Sequence, residues 1–478
     1  MTVDTGGEEQ VTGFAIDHRK VAPGTVFGAF PGAVVNGEDF IPAAISAGAI
    51  AVVARAAARV SGAAHFADPV PRRAFARLAA RFFRPVPDTI VAVTGTNGKT
   101  STVEMTRQIW RLLGERAASI GTLGVTTPDD SVSTGLTTPD IVTFLSNMTG
   151  LAREGVSHVA YEASSHGLSQ YRNEGLTVAA GAFTNLSRDH LDYHADMDDY
   201  FAAKMRLFSE VVHDGGTAVI WADDVWSSRA IAVAQARGLE LLTVGAAGET
   251  VRLVSSSPSP LGQVLELAHA GQRYQVTLPL IGAYQAANAL VAAGLALATG
   301  SAPVPVFEAL SRLQPVRGRL ERAAITAGGA PVYVDYAHTP DALEAAIAAL
   351  RPHCAGRLVT VFGAGGDRDR GKRAEMGRIA TARSDLVIVT DDNPRGEDAA
   401  AIRAEILQGA TGAREIGDRR AAIRAAIAEA GAHDIVLIAG KGHEQGQIVG
   451  SGAAMRVLPF DDVTVARECA GELSGVSE

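Results

Sequence analysis

The chain has 478 residues, of which 47% are hydrophobic and 20% charged, and a formal net charge of −9. That length suggests roughly two to four domains, and the acidic balance argues against broad nucleic-acid binding, which requires a basic face. The cysteines, Cys354 and Cys469, lack metal-ligand spacing, which excludes a disulfide scaffold and indicates a reducing compartment. Neither a signal peptide nor an apolar run of membrane-spanning length is found, so we expect a cytoplasmic protein.

The predicted elements divide the chain into three blocks. Residues 1–87 alternate short strands with a helix and end at the proline-rich segment FRPVPD. Residues 88–315 open with the strand TIVAVTG and alternate strands with helices, as parallel βαβ units do. Residues 316–478 repeat the alternation, and each strand ends in polar, glycine-rich sequence. We therefore expect an α/β protein that binds ligands at the carboxyl ends of its parallel strands.

The strongest single signal is VTGTNGKTS, residues 93–101. Gly95 and Gly98 allow backbone N–H groups to turn towards an anion, and Lys99 adds positive charge. Thr100 begins a helix whose N-terminus favours phosphate, and its hydroxyl can reach Mg²⁺. The segment lacks the first glycine of the strict GxxxxGK[ST] pattern, but it follows a strand and precedes a helix. It therefore predicts a nucleotide-binding loop and not a plain glycine-rich turn.

Two further segments of the second block carry candidate metal ligands. Glu162 ends the strand VSHVAYE, where a carboxylate suits a magnesium ion beside a phosphate loop, although the Ser-Ser-His run after it also suits a helix cap. His190 and His194 suggest zinc, but no third ligand at fixed spacing supports it, and oxygen donors such as Asp192 suit Mg²⁺ better. Lys204 falls on a predicted helix, where its residue type alone favours an exposed surface position.

The segment VTDDNPRGED, residues 389–398, leaves a strand at an Asn-Pro turn and places Arg395 directly after it. Proline fixes its own φ and restricts the residue before it, so the loop has limited freedom. An arginine on a stiff loop at a strand end suits a carboxylate or phosphate, although an ordinary surface turn has the same composition. Polar clusters also occur at VRGRLE, VDYAHTPD, GAGGDRDRGKR and AGKGHEQ, and this recurrence at strand ends favours one pocket.

Taken in order, TGTNGKT, LTTPD, EASSHGL, FTNLSRDHLDYH, DYAHTPD, GGDRDRGKR, DNPR and GKGHE resemble the motifs of the Mur ligase family of cell-wall enzymes over nearly the whole chain. The resemblance implies a small α/β UDP-binding domain, a central P-loop-like ATPase domain with a parallel sheet, and a C-terminal Rossmann-like domain. It also implies ATP and Mg²⁺ as cofactors. In this family ATP converts a carboxylate into an acyl phosphate, which the amine of an amino acid then attacks.

Within the family the chain resembles the branch that adds meso-2,6-diaminopimelate to UDP-MurNAc-L-Ala-D-Glu (UDP-N-acetylmuramoyl-L-alanyl-D-glutamate) in peptidoglycan precursor synthesis. DNPR resembles the diaminopimelate signature, and lysine-adding relatives lack its arginine. Diaminopimelate differs from lysine by one extra carboxylate, which a planar guanidinium binds in bidentate fashion. An unpaired buried arginine would also penalise lysine. We further expect a monomer.

The resemblance assigns roles residue by residue. Nucleotide contacts fall to Gly95, Thr96, Asn97, Gly98, Lys99, Thr100, Ser101, Asn288, Arg319 and Asp335. Magnesium ligands fall to Thr100, Glu162, His190 and a carbamylated Lys204, and the expected catalytic residues are Lys99, Glu162, His190 and Lys204. Contacts with UDP-MurNAc-L-Ala-D-Glu fall to Asp17, Arg19, Thr137, Thr138, Ser164 and Arg172. Contacts with diaminopimelate fall to Arg368, Asp392, Asn393, Pro394, Arg395, Gly440 and Glu444.

The chain departs from the family pattern in its first block. The segment before FAIDHRKVAPGTVFGAF is shorter than in the family, and His18 stands where the family's D-S-R motif has serine, so we expect a shortened UDP-binding domain. Three alternatives stay open. They are a lysine-adding or folylpolyglutamate ligase of the same architecture, a catalytically silent nucleotide-binding regulator, and a zinc hydrolase built on His190 and His194.

Overall fold

The computed structural model describes residues 2–4, 8–32, 35–127, 129–132, 137–191, 193–259 and 262–474, and the candidate Asp192 lies outside them. The described residues form three main sheets, within residues 13–67, 89–278 and 321–439. The remaining strands form two separate two-stranded hairpins. The predicted α/β class with parallel sheets is confirmed, while the domain boundaries near residues 87 and 315 stay predictions.

The N-terminal part contains a four-stranded parallel sheet. Its elements are β1 (Thr2–Asp4), β2 (Glu8–Gln10), β3 (Gly13–Ala15), β4 (Thr25–Gly28), α1 (Ile41–Ser46), β5 (Ala49–Ala54), β6 (Ala64–Ala67) and α2 (Pro71–Phe82). The sheet order is β3–β4–β5–β6, and β1 and β2 form a separate antiparallel pair. Helix α2 starts at a proline, which suits the first helical position. It buries Phe75, Ala76, Ala79 and Ala80, spaced as one helical face.

The central part forms an eleven-stranded sheet. Its strands are β7 (Thr89–Thr94), β8 (Ala117–Gly121), β9 (Gly124–Thr126), β10 (Ser131–Val132), β11 (His158–Glu162), β12 (Val178–Phe183), β13 (Val212–Trp221), β14 (Glu240–Gly245), β15 (Val251–Ser259), β16 (Gly262–His269) and β17 (Gln272–Leu278). Its helices are α3 (Lys99–Leu112), α4 (Ile141–Arg153), α5 (Ser165–Ser169), α6 (Met197–Arg206), α7 (Ser227–Ala236), α8 (Ala283–Ala298) and α9 (Pro303–Leu310). The strand order is β10–β9–β8–β11–β7–β12–β13–β14–β15–β16–β17, and the pairs from β8 to β15 are parallel.

The central strand β7 is buried on both faces. Ile90 and Ala92 belong to one hydrophobic cluster, and Val91 and Val93 belong to another. Since successive side chains of a strand point to opposite faces, helices must cover both sides of this sheet. Strands β11 and β12 flank β7 in parallel, so the three carboxyl ends meet at one edge. That edge is where the phosphate-loop motif begins.

The C-terminal part forms a six-stranded sheet in which only β18 runs antiparallel to its neighbour. Its strands are β18 (Glu321–Ile325), β19 (Pro331–Asp335), β20 (Leu358–Phe362), β21 (Leu386–Val389), β22 (Arg414–Glu415), β23 (Ile435–Ala439) and the separate hairpin β24 (Gly446–Val449) and β25 (Arg456–Pro459). Its helices are α10 (Pro340–Leu350), α11 (Lys372–Arg383), α12 (Ala399–Leu407), α13 (Arg419–Glu429) and α14 (Asp462–Ser474). The order is β18–β19–β23–β20–β21–β22. No helix of the described residues is long and apolar enough to cross a membrane.

Candidate active site

The loop between β7 and α3 has the geometry of an anion cradle. Gly95 and Gly98 have φ angles of 147° and 85°, which side chains rarely permit. A Cβ at Gly95 would overlap Thr184, and one at Gly98 would overlap Asn288. Helix α3 starts at the next residue, so its free N–H groups face the loop. The predicted nucleotide residues of this segment therefore lie together: Gly95, Thr96, Asn97, Gly98, Lys99, Thr100 and Ser101.

Two lysines converge on one carbonyl of this loop. The Nζ of Lys99 donates to the carbonyl oxygens of Gly95 at 2.9 Å and Thr96 at 2.8 Å. The Nζ of Lys204 donates to the same Gly95 oxygen at 2.7 Å and lies 4.3 Å from the ring centroid of Tyr200. Lys204 is only 1% exposed, so the surface position suggested by its residue type is wrong.

Burial makes the Lys204 amine unusual. Desolvation lowers its pKa well below the usual 10.5, and the positive charge of Lys99 lowers it further. Desolvation also lowers the pKa of Lys99, against the opposing charges of Glu162 and Asp189. Two ammonium groups on one carbonyl oxygen repel each other, so the pair favours an uncharged amine at Lys204. An uncharged amine is a nucleophile.

Glu162 ends β11 directly beside the phosphate loop. Its Oε1 accepts from the backbone N–H of Thr122 at 2.7 Å, and its Oε2 accepts from the Thr122 hydroxyl at 3.2 Å. That hydroxyl lies 3.1 Å from the Thr137 hydroxyl. Thr138 donates to the Glu162 carbonyl at 2.9 Å and lies 3.0 Å from the Ser164 hydroxyl. Predicted metal-binding and substrate-binding residues are therefore brought together, and Ser164 caps α5 as well, by accepting from Gly167 N–H.

The two candidate zinc histidines have different surroundings. His190 has a left-handed φ of 54°, and its N–H donates to Asp189 at 2.9 Å. Partial burial lowers the pKa of His190 to about 4. The positive charge of Lys99 acts in the same direction, and the negative charge of Asp189 opposes it. Its imidazole is therefore neutral near pH 7, as a metal ligand must be. The His194 ring instead lies 3.1 Å from Asp199. Within the described ranges no three His, Cys, Asp or Glu side chains gather as a metal site.

The donor set near the loop suits magnesium. A hydroxyl (Thr100), a carboxylate (Glu162), a neutral imidazole (His190) and a carbamate on Lys204 would offer mainly hard oxygen donors, which Mg²⁺ prefers. Glu162 and Thr100 are both buried, at 2% and 5% exposure. A cation there would offset the buried negative charge of Glu162.

Arg319 reaches this loop from the C-terminal part. Its Nη2 donates to the Thr100 hydroxyl at 3.1 Å, and its Cζ lies 4.5 Å from the Tyr336 ring centroid. Gln285, on α8, donates to the Arg319 carbonyl at 2.9 Å. The predicted ATP contact Asp335 accepts backbone N–H bonds on both carboxylate oxygens, at 2.7 and 2.8 Å, and burial raises its pKa to about 6. Its contact with the nucleotide stays a prediction, as does that of Asn288.

Two cavities with shared walls lie between the N-terminal and central parts. The smaller, of about 170 Å³, is lined by Ile16, Phe30, Arg72, Asp140, Ile141, Gln170 and Arg172. The larger, of about 660 Å³, shares Ile16, Phe30, Arg72 and Asp140 and extends to Asp17, His18 and Arg19. Among the residues with described positions, neither Arg72 nor Arg172 forms an ion pair; Arg172 donates to the Thr138 carbonyl at 2.9 Å. Two such arginines suit an anionic ligand.

The larger cavity contains the departure from the family motif. Arg19 donates to both carboxylate oxygens of Asp17, at 2.9 and 2.7 Å, and these bonds lower the pKa of Asp17 to about 2. His18 stacks on Phe40, with ring centroids 4.4 Å apart and planes within 6°. The histidine that replaces serine is therefore part of an aromatic wall of this cavity.

A second polar site lies at the strand ends of the C-terminal sheet. Asn393 donates from Nδ2 to Glu444 at 2.7 Å, and its Oδ1 accepts from Lys441 at 2.8 Å and from Ile448 N–H at 2.9 Å. Lys441 is fully buried and lies 3.9 Å from Asp392. The structure thus brings together Asp392, Asn393, Pro394, Arg395, Gly440 and Glu444.

Arg395 has no carboxylate partner among the described residues of this site. It is half-buried, and its Nη1 donates to the Gly366 carbonyl at 2.9 Å. In the part of the chain that the structure describes, Arg395 forms no ion pair, whereas most neighbouring arginines do. Desolvation and the nearby charge of Arg368 lower its pKa, against the opposing charges of Asp392 and Glu444. A bound carboxylate would supply the ion pair that Arg395 lacks among the described residues. Arg368 is exposed and donates to the Asp367 carbonyl at 2.9 Å.

Comparison with known proteins identifies the family. Residues 10–83, 93–296 and 318–442 match family models described as "Mur ligase family, catalytic domain", "Mur ligase middle domain" and "Mur ligase, glutamate ligase domain". The chain belongs to the Mur ligase family. This Mur ligase is 62% identical over 458 residues to the UDP-N-acetylmuramoyl-L-alanyl-D-glutamate--2,6-diaminopimelate ligase of Zymomonas mobilis, covering 96% of this chain and 94% of that protein.

Further similar proteins support the assignment to this family. This Mur ligase is 55% identical to the Bradyrhizobium diazoefficiens protein of the same name, over 95% of this chain and 93% of that one. A solved diaminopimelate ligase of this name superposes with a TM-score of 0.72 at 34% identity, covering 99% and 97% of the two chains. A Mycobacterium tuberculosis folylpolyglutamate synthase shares only the fold, with a TM-score of 0.64 at 21% identity over 78% and 92% of the two chains. This Mur ligase is an ATP-dependent ligase with the three-domain fold that its motifs predicted.

Two residues near these sites, Arg72 and Glu397, were not predicted from the sequence. Arg72 lines both cavities, and its Cζ lies 4.9 Å from the Phe30 ring centroid. No sequence signal marks it, because only the packing of two domains places it with Arg172 in the lining of one cavity. Glu397 lies in the segment VTDDNPRGED, and its residue type alone indicates no role there. Its partner, Arg373, is fully buried, which the sequence does not reveal.

Proposed function

We propose that this Mur ligase joins meso-2,6-diaminopimelate to the D-glutamyl residue of UDP-MurNAc-L-Ala-D-Glu, with ATP and Mg²⁺, in peptidoglycan precursor synthesis. The observation that carries the proposal is Arg395, a half-buried guanidinium without an acidic partner among the described residues. Diaminopimelate supplies the carboxylate that such a group binds. The names of relatives at 62% and 55% identity support the same substrates. A cytoplasmic monomer is part of the proposal.

The reaction proceeds through an acyl phosphate. A γ-carboxylate oxygen of the D-glutamyl residue forms a bond to the γ-phosphorus of ATP, and ADP leaves. The amine of diaminopimelate then attacks the carbonyl carbon, an N–H proton is lost, and phosphate leaves. The carboxylate needs this activation because its oxygen is otherwise a poor leaving group. Catalysis in such a step comes mainly from positioning and charge stabilisation.

The loop residues supply both effects. The N–H groups of the loop and of the first turn of α3 would bind the phosphates, and Lys99 would leave the Gly95 and Thr96 carbonyls to follow the transferred phosphoryl group. Mg²⁺, when bound, neutralises phosphate charge; Thr100, Glu162, His190 and carbamylated Lys204 would hold it. The lowered pKa of Lys204 favours carbamylation, in which the uncharged amine nitrogen bonds to the carbon of CO₂ and a proton is released.

Phosphate release tests the proposal. The rate of phosphate release by purified protein with ATP, Mg²⁺ and UDP-MurNAc-L-Ala-D-Glu is measured in three reactions. They contain meso-diaminopimelate, L-lysine or no amino acid. Turnover with diaminopimelate alone is the expected result. Turnover with lysine would retain the ligase chemistry and reject the role of Arg395. Absence of turnover with either amino acid would reject the proposed substrates.

Arg395→Ala is expected to raise KM for diaminopimelate about 10- to 100-fold, because a charge-assisted hydrogen-bonded pair contributes about 1.5–3 kcal/mol. The change in kcat is expected to be small, since the far carboxylate is remote from the reacting amine. Steady-state kinetics at saturating ATP measures both constants. Arg420→Ala, which removes an exposed arginine paired with Glu468 and Glu472, is the control. An unchanged KM in Arg395→Ala would contradict the assignment.

A further inference from the structure

The backbone of Arg395 is held from outside its own loop. Its φ is 51°, in the left-handed region that residues with side chains rarely adopt. Its N–H donates to the Ile448 carbonyl at 3.0 Å, and its guanidinium Nη1 donates to the Gly366 carbonyl at 2.9 Å. The direction of the guanidinium therefore depends on where the segment 365–367 lies.

The segment 365–367 is fitted closely to the Arg395 loop. The N–H of Gly366 donates to the Asn393 carbonyl at 2.9 Å, and a Cβ at Gly366 would overlap the Pro394 carbonyl. Asp367 also has a left-handed φ, of 52°, and its Oδ2 accepts from Gly396 N–H at 2.9 Å. These bonds join the two loops by their backbones, so a shift of one loop moves the other.

Glu397 connects both loops to the buried core of the domain. Its Oε1 accepts from Asp367 N–H at 2.6 Å and from Arg373 Nη2 at 2.9 Å. Its Oε2 accepts from Arg373 Nη1 at 3.0 Å and from Arg370 Nη2 at 2.7 Å. Arg373 is fully buried and also donates to the Gly365 carbonyl at 3.1 Å. The Arg373 bonds lower the pKa of Glu397 to about 2, so the carboxylate stays charged at neutral pH.

We infer that Glu397 is a positioning residue, which fixes the paired loops so that the Arg395 guanidinium faces the far carboxylate of the amino-acid substrate. This inference rests on the proposed function and extends it to a residue that makes no substrate contact of its own. Loops that carry two left-handed residues need such support, because each strained residue otherwise relaxes to other conformations.

The test compares two glutamates that both pair with Arg370 and Arg373. Glu397→Gln keeps the side-chain size but turns an amide N–H₂ towards an arginine donor. Glu405→Gln is the matched control, because Glu405 accepts from Arg373 Nη1 at 2.8 Å and, among the described residues, forms no hydrogen bond with the loop backbone. Glu397→Gln is expected to raise KM for diaminopimelate about tenfold, with KM for ATP unchanged and kcat within about threefold; Glu405→Gln is expected to leave the diaminopimelate KM within about twofold.

A double-mutant cycle separates positioning from general loss of structure. In the Arg395→Ala background, Glu397→Gln is expected to raise the diaminopimelate KM by less than about twofold, because its effect acts through the missing guanidinium. The inference would be overturned if the effects of the two substitutions on the diaminopimelate KM were fully additive. It would also be overturned if Glu397→Gln raised the ATP KM as much as the diaminopimelate KM.

Amide hydrogen exchange gives a readout that needs no turnover, so it stays informative if the proposed substrates are wrong. Exchange of residues 393–397 is expected to accelerate in Glu397→Gln and not in Glu405→Gln. Unchanged exchange in Glu397→Gln would overturn the inference, whereas wild-type protein inactive with diaminopimelate would overturn the proposed function.

Discussion

Lys204→Met is expected to lower kcat about 10²–10³-fold while leaving the protein folded and more resistant to heat. The loss follows from the position of Lys204, whose Nζ lies 2.7 Å from the Gly95 carbonyl of the phosphate loop. A carbamate there would place negative charge beside Lys99 and the metal ligands, and removing one such preorganised group costs about 3–4 kcal/mol of transition-state stabilisation. Methionine retains the length and packing of the side chain and cannot be carbamylated.

The gain in stability follows from the pKa of Lys204. Folding lowers this pKa below 10.5, so below that pH the unfolded chain binds more protons than the folded one. The buried amine therefore destabilises the folded state at neutral pH, and the penalty disappears as pH rises to the unfolded pKa. In CO₂-free buffer, Tm of Lys204→Met is expected to exceed that of the wild type at pH 7, and the difference is expected to shrink by pH 10.

Two controls make this prediction sharp. Wild-type protein kept free of CO₂ is expected to lose activity and recover it when bicarbonate is added, whereas Lys204→Met responds to neither treatment. Arg153→Met removes an exposed cation at the end of α4 that lines neither described cavity, and it is expected to change neither kcat nor Tm appreciably. A Lys204→Met enzyme with kcat within about threefold of the wild type would contradict the role of the carbamate.

Lys204 also shows how sequence patterns and structure diverge. Its residue type predicts an exposed position, and only the resemblance to a family suggested otherwise. A local signal was present, since Tyr200 and Lys204 are four residues apart and therefore share one face of α6. Tyr200 is buried, and that face carries the lysine into the sheet edge. The predicted helix was confirmed, while the depth of its one charged core residue depended on tertiary packing.

The fold was predictable because its signals are local. The strand TIVAVTG, the glycines of the loop and the helix after it specify one βα unit within about 25 residues. The site was less predictable from the sequence, because some of its residues come from distant parts of the chain. Arg72 and Arg172 line one cavity from two domains, and Arg373 of helix α11 reaches Glu397 on the loop after β21. No periodicity encodes such pairs, so a single sequence offers motifs without their partners.

Arg319 contacts a residue far from it in the sequence, since Thr100, whose hydroxyl accepts its hydrogen bond, lies 219 positions away along the chain. Its guanidinium packs on Tyr336, and Gln285 fixes its backbone carbonyl. The Nε of Arg319 is buried and has no hydrogen-bond partner among the described residues, which leaves a donor for the nucleotide. An arginine that enters a phosphate site from a second domain stabilises the charge that develops on the transferred phosphoryl group.

Arg319→Ala is therefore expected to lower kcat about 10³-fold, the lower end of what such arginines contribute, with a smaller rise in KM for ATP. Single-turnover phosphate release at saturating ATP isolates the chemical step. Arg319→Lys is expected to recover only a small part of the rate, because an ammonium lacks the planar fork and the stacking on Tyr336. Arg317→Ala, on the same loop but paired with the remote Asp461, is the control and should retain nearly full kcat. If Arg319→Ala raised KM for ATP without lowering kcat, the guanidinium would contribute to nucleotide binding alone. The hydrogen bond from Arg319 to Thr100 would then have no part in phosphoryl transfer.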